Sequence, residues 1–136
     1  MKNLPLLAAV LCLLAAPALA EPHRPATFSI AAADPAAGEV GVAVASRFFA
    51  VGAVVPYVRA GVGAVATQAY ANTGFGSRGL DLLTRGLTPE EALTVLLRGD
   101  QGRERRQVGL VTASGQAATY SGPGCTAWAG GRSGTG

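Results

Sequence analysis

Two helical stretches, 76–85 and 88–98, interrupt a series of short strands, and that order confines the chain to α+β layers. Leu80 and Leu83 recur at helical spacing in the first stretch, and Gly86 follows as its stop. Thr88-Pro89-Glu90-Glu91 opens the second: Thr88 caps, Pro89 takes the first helical position, and Glu91 completes a capping box. Leu93, Leu96 and Leu97 form its apolar stripe, and Gly99 ends it. Before the helices, residues 27–33 and 39–46 read as a hairpin around Asp34-Pro35-Ala36-Ala37-Gly38, whose residues suit a tight turn. Residues 47–56 read as a loop or short irregular strand, 62–68 as a further strand, and 70–74 as the exit from the sheet. After the helices, 107–112 and 116–121 form a second strand pair around Ala113-Ser114-Gly115. This grouping excludes a parallel doubly wound sheet.

The strands are built from small residues. Glu-Val-Gly-Val-Ala-Val-Ala-Ser, residues 39–46, has little polar character on either face, as in strands covered on both sides. Glycine, 19 residues of 136, is about twice its usual share and is spread through strands and turns, which indicates close backbone packing. The helices cover one face of these early strands, and a second sheet is expected on the other. The uncovered face and the Gly-rich ending make the chain read as cut short, with further strands and helices expected after residue 136.

Residues 1–20 are set apart from the fold. Lys2 precedes an apolar run, Leu4 to Leu14, that is too short to span a bilayer, and Pro17 breaks it. Ala18-Leu19-Ala20 then supplies a small-x-small cleavage site. The organisation expected is a signal peptide (1–20), a short leader (21–26) and one domain (27–136) in a secreted or periplasmic protein with no membrane contact after signal removal. Cleavage takes 20 residues from 136 and leaves 116, enough for one domain. Lys2 leaves with the signal, so 10 basic residues face 8 acidic ones, a net +2 too mild to argue for nucleic acid or membrane. Arg103, Arg105 and Arg106 are the basic cluster. No aromatic residues interleave with them for base stacking, so they read as a solvated loop. Cys125 is the one cysteine left, so no intrachain disulfide forms. One histidine, one cysteine and scattered acids supply no metal site, and no cofactor is expected. The single histidine, His23, lies ahead of the first strand, which makes a Ser-His-Asp or Cys-His arrangement hard to build.

A threonine at a free N-terminus needs no histidine, because its own α-amine serves as base. Such a nucleophile must start a rigid strand, its amine must be freed, and donors must hold the oxyanion. Thr27 begins the first strand, and the small Ala26 before it permits a second cleavage. Arg24 stands at the −3 position, so autolysis or another protease must make that cut. Gln68 and Asn72 are amides at the end of a strand, and Gly61 and Gly63 offer bare backbone to a substrate. Each has an ordinary reading as well. Threonine fits any pleated strand, Gln68 and Asn72 suit turns and caps, and Ser46 with Arg47 suit a loop anchor.

The runs TFSIAAADP, GEVGVAVASRFFAVG and GVGAVATQAYAN resemble the opening of a bacterial family catalogued as domain of unknown function 1028, placed in the Ntn-hydrolase-like superfamily with proteasome β subunits and amidases. The resemblance extends from Thr27 to Trp128. It implies a four-layer αββα sandwich with the nucleophile at Thr27 and an assisting polar pair, Ser46 and Arg47, at the end of the second strand. Family members often start almost at the threonine, whereas here Glu21 to Ala26 remain after signal removal. The superfamily domain also runs well beyond this length, and its members often self-associate. The resemblance points to an amide-bond hydrolase acting on a small-molecule or peptide-like substrate. The alternative is a binding or assembly module of the same fold at the cell surface or in the periplasm, without catalysis.

Overall fold

The computed structural model describes residues 26–135, so the expected signal peptide and all of the expected leader but Ala26 lie outside the described residues. The chain forms β1 (Thr27–Asp34), β2 (Glu39–Ser46), β3 (Pro56–Arg59), β4 (Gly63–Ala69), α1 (Gly74–Thr84), α2 (Pro89–Arg98), β5 (Arg106–Thr112) and β6 (Ala117–Ser121). β1 and β2 make a two-stranded antiparallel sheet, and β3-β4-β5-β6 make a second, four-stranded one.

Turn chemistry sets the hairpin. Asp34 Oδ1 accepts hydrogen bonds from the backbone N–H groups of Ala36 and Ala37 at 2.9 and 3.1 Å. Gly38 then takes φ 70°, a conformation costly for residues with a Cβ. The resulting register pairs Thr27 with Ser46 and Asp34 with Glu39.

Strand pleating sends alternate residues to opposite faces, and this sorts the core. One face of the four-stranded sheet carries Val65, Val108, Leu110 and Ala118 against Phe75, Leu80 and Leu83 of α1 and Ala92, Leu93 and Leu96 of α2. The opposite face, with Ala64, Ala66, Gly109 and Val111, meets β1 and β2. Small side chains there let the two sheets lie close. The molecule is thus α+β with three stacked layers: helices, four-stranded sheet, two-stranded sheet.

Two expectations about cover are corrected. The helices lie on β3–β6, not on the early hairpin, because the large apolar residues of β4 and β5 point to the side away from β1 and β2. The hairpin itself is one-sided. Val40, Val42 and Val44 turn inward, while Phe28 (71% exposed) and Ile30 (53%) turn outward. β3 has no strand of its own in the sequence reading, where 47–56 is a loop or short irregular strand and the next strand begins at Val62. It pairs with β4 from Pro56 opposite Ala66 to Arg59 opposite Gly63, and Tyr57 packs so close to Gly76 that a Cβ there would run into the ring. Gly63 likewise serves packing, since a Cβ would strike the Val111 carbonyl oxygen.

α1 ends in a left-handed stop. Gly86 has φ 87°, its N–H donates to Leu83 O at 3.0 Å, and the Leu87 N–H donates to Leu82 O at 3.2 Å. α2 starts on the capping box read in the sequence: Glu91 N–H donates to Thr88 Oγ1 at 3.2 Å and Thr88 N–H to Glu91 Oε2 at 2.9 Å. Thr88→Ala is expected to cost about 1 kcal/mol, seen as a lower urea midpoint at unchanged m-value.

Arg106 leaves the solvated group to which the sequence assigned it. Its Nε and Nη2 donate to Asp100 Oδ2 and Oδ1 at 2.7 and 3.0 Å, with the side chains only 18% and 11% exposed. Its Nη1 donates to the Tyr70 carbonyl, and Arg105 lies 5.4 Å from the Tyr70 ring centre. The pair therefore ties the exit of β4 to the entry of β5. The Arg106 guanidinium holds the Asp100 carboxyl below the usual carboxylate range. The unfolded chain therefore takes up this proton first as pH falls, so the contribution is complete above about pH 4 and is lost below it. Urea midpoints measured from pH 6 to pH 3 should fall less steeply for Asp100→Asn than for the wild type, because the variant lacks this titration.

Candidate functional site

The leading end of β1 lies where the two sheets meet. Thr27 and Ser29 share the inward face of the hairpin, two residues apart, and β2 brings Ser46 opposite Thr27. Thr27 Oγ1 and Ser46 Oγ are 3.0 Å apart. Ser46 Oγ also accepts the Phe48 N–H at 2.9 Å, which fixes the serine at the strand end. An open depression of about 420 Å³ lies here, lined by Ala26, Thr27, Phe28, Ala45, Ser46 and Arg47.

Gln68 approaches from the opposite sheet. Its place on the small-residue face of β4 aims its side chain at β1. Gln68 Nε2 donates to the Thr27 carbonyl oxygen at 3.3 Å and to Gln107 Oε1 at 2.7 Å, and Gln68 Oε1 accepts from Ser29 Oγ at 2.6 Å. Gln107 sits opposite Gln68 in the β4–β5 register, and its Nε2 donates to Ser121 Oγ at 3.0 Å and to Gly130 O at 2.9 Å. Both amides thus have both donors engaged, and each carbonyl end is taken as well. Such a fully satisfied network fixes the orientation of each side chain.

Of the residues singled out from the sequence, Thr27, Ser46, Arg47 and Gln68 come together at this end. Gln68, an oxyanion-donor candidate from the sequence, has its N–H donors on Thr27 O and Gln107 Oε1 and so ties β1 to the four-stranded sheet. Asn72 turns to the start of α1, where its Oδ1 accepts the Gly74 N–H at 3.1 Å and its carbonyl accepts from Thr67 Oγ1 at 3.4 Å. Sequence reading missed Ser29, Gln107 and Ser121. Ser29 carried a signal, being two residues from Thr27 on the same strand face. Gln107 carried none until β4 and β5 were paired. Among the described residues no three His, Cys, Asp or Glu side chains gather to hold a metal. Nor is any helix among them long and apolar enough to cross a membrane.

Fold and site together define an α+β protein whose first strand opens at a hydroxyl pair between two stacked sheets. The chain belongs to the family described as Family of unknown function (DUF1028), which it matches over residues 27–136. Its fold is similar to a crystal structure of a protein from Silicibacter pomeroyi assigned to that family, with TM-score 0.77 and 33% identity over 80% of this chain. The chain spans about half of that protein, 49% of its length. No curated protein matches it.

Proposed function

We propose that this protein is a secreted or periplasmic amide-bond hydrolase whose nucleophile is Thr27, freed as an N-terminus by cleavage after Ala26. The observation that carries this reading is the placement of Thr27: it leads β1, its hydroxyl meets Ser46 Oγ at 3.0 Å, and its strand end borders an open depression. The layering supports a four-layer αββα sandwich of the N-terminal nucleophile type. In such a sandwich the outer face of β1 and β2, with Phe28 and Ile30, is the seat of the second helical layer.

Each group then has a task. Thr27 Oγ1 attacks the substrate carbonyl carbon while its proton passes to the α-amine, whose ordinary pKa of about 7.7–8.0 suits a base near neutral pH. The amine returns that proton to the departing nitrogen as the C–N bond breaks, leaving an ester on Thr27. Water adds to the ester, the amine takes its proton, and Oγ1 leaves with it. Ser46 is held by the Phe48 N–H, and in this mechanism its hydroxyl serves as the donor of the Ser46–Thr27 pair, which leaves the threonine proton directed to the amine. Arg47 lines the same depression, and its positive charge favours the neutral amine. Gln68 holds the Thr27 carbonyl.

A β-lactone tests the reading without knowledge of the natural substrate. A bond forms from Thr27 Oγ1 to the lactone carbonyl, the ring C–O bond breaks, and the amine delivers the proton to the released alkoxide. Peptide mapping of the exported protein should place one acyl adduct on Thr27. An exported, folded protein that takes no adduct there contradicts the reading.

A further inference from the structure

We infer that Gln107, far along the chain from Thr27, is a positioning residue for this reaction, acting on the nucleophile through Gln68. The inference rests on the catalytic reading of Thr27. Cleavage after Ala26 removes one covalent tether from Thr27, and terminal residues fray unless tied down. Thr27 is also the last residue of the β1–β2 pairing, opposite Ser46. What then holds its backbone from the facing sheet is the bond from Gln68 Nε2 to its carbonyl oxygen at 3.3 Å.

That bond depends on the orientation of the Gln68 amide. A flipped amide would turn an oxygen toward the Thr27 carbonyl, which repels it. Two neighbours prevent the flip. Ser29 Oγ donates to Gln68 Oε1 at 2.6 Å, and Gln107 Oε1 accepts from Gln68 Nε2 at 2.7 Å. A hydroxyl can rotate to accept instead, so Ser29 does not set the sense by itself. Gln107 does, because its own Nε2 is committed to Ser121 Oγ and to the Gly130 carbonyl, which can only accept. Direction therefore runs from Gly130 through Gln107 and Gln68 to Thr27.

Acylation of the exported, processed protein by the β-lactone reads this out. Gln107→Met keeps the length of the side chain and removes its amide. It should lower the saturating acylation rate about tenfold while leaving the half-saturating lactone concentration unchanged, as loss of about one hydrogen bond in alignment requires. Ser121→Ala frees part of the Gln107 amide and should slow acylation about threefold. Thr88→Ala, which destabilises the fold far from the site, should acylate at the wild-type rate.

Wild-type rates in Gln107→Met, or an equal slowing in Thr88→Ala, overturn the inference. Should Gln107→Met fail to fold, Ser121→Ala at the wild-type rate overturns it just as well. An adduct on wild-type Thr27 with undisturbed variants removes only the role of Gln107. Absence of the wild-type adduct removes the catalytic reading and this role together.

Discussion

Thr27→Ala, produced with residue 27 as its N-terminus, should lose acylation and amide turnover by a factor on the order of 10³ or more, since a covalent mechanism has no substitute for its nucleophile. The fold should survive. Thr27 is only half-buried, and the change removes one hydroxyl bond, that to Ser46 at 3.0 Å, worth about 1 kcal/mol. Ser46 keeps its bond from the Phe48 N–H, so no buried group is left without a partner. Thr27→Ser should retain measurable acylation, because it keeps both the hydroxyl and the amine. If Thr27→Ala leaves every phenotype and any ligand affinity intact, the binding or assembly module of the same fold is favoured instead.

Phe75→Ala should have the largest effect on stability, a loss of about 3–5 kcal/mol. Phe75 is fully buried at the start of α1, where it packs in one cluster with Val65, Val108 and Leu110 of the four-stranded sheet and Leu96 of α2. Removing the ring opens a cavity between helix and sheet layers that cannot collapse without moving both helices. Against a total stability of about 5–15 kcal/mol, the variant should be partly unfolded at growth temperature. Phe49→Ala is the matched control: that ring is 93% exposed, and its loss should stay within about 0.5 kcal/mol. Urea unfolding followed by far-UV circular dichroism separates the two. Equal midpoints for Phe75→Ala and the wild type would contradict the placement of the core.

What the sequence made legible follows from where its signals are local. The hairpin limits were readable because Asp34 and Gly38 open and close a five-residue turn with chemistry of its own. The start of α2 was readable because Thr88, Pro89 and Glu91 act on one another within a single turn. Sheet membership was not readable. The same small residues suit a strand facing another sheet and one facing a helix, and only the positions of Val65 and Leu110 opposite each other decide which side the helices take. β3 escaped because it is four residues long, begins with proline and finds its reason in Gly76, which comes 19 residues after Tyr57. Arg106 looked like its neighbours Arg103 and Arg105. Its difference lies in Asp100, which folds back across a short turn to meet it.

The site divides in the same way. Thr27 could be named from the sequence because it starts a strand, whereas Ser46 came through the family resemblance, and the hairpin register sets it opposite Thr27. Gln68 could be named as an amide but not given its task, which depends on a strand in the other sheet. Gln107 became visible only with the register that sets it beside Gln68. Asn72 shows the reverse case: a strand-end amide whose carbonyl oxygen is turned to the first turn of α1.

The N-terminus of the exported, catalytically active protein tests the account most directly. Intact mass combined with N-terminal peptide mapping should find a chain that begins at Thr27 with a free amine. Active protein that begins at Glu21, or at any residue ahead of Thr27, contradicts it, for the base would then be locked in a peptide bond.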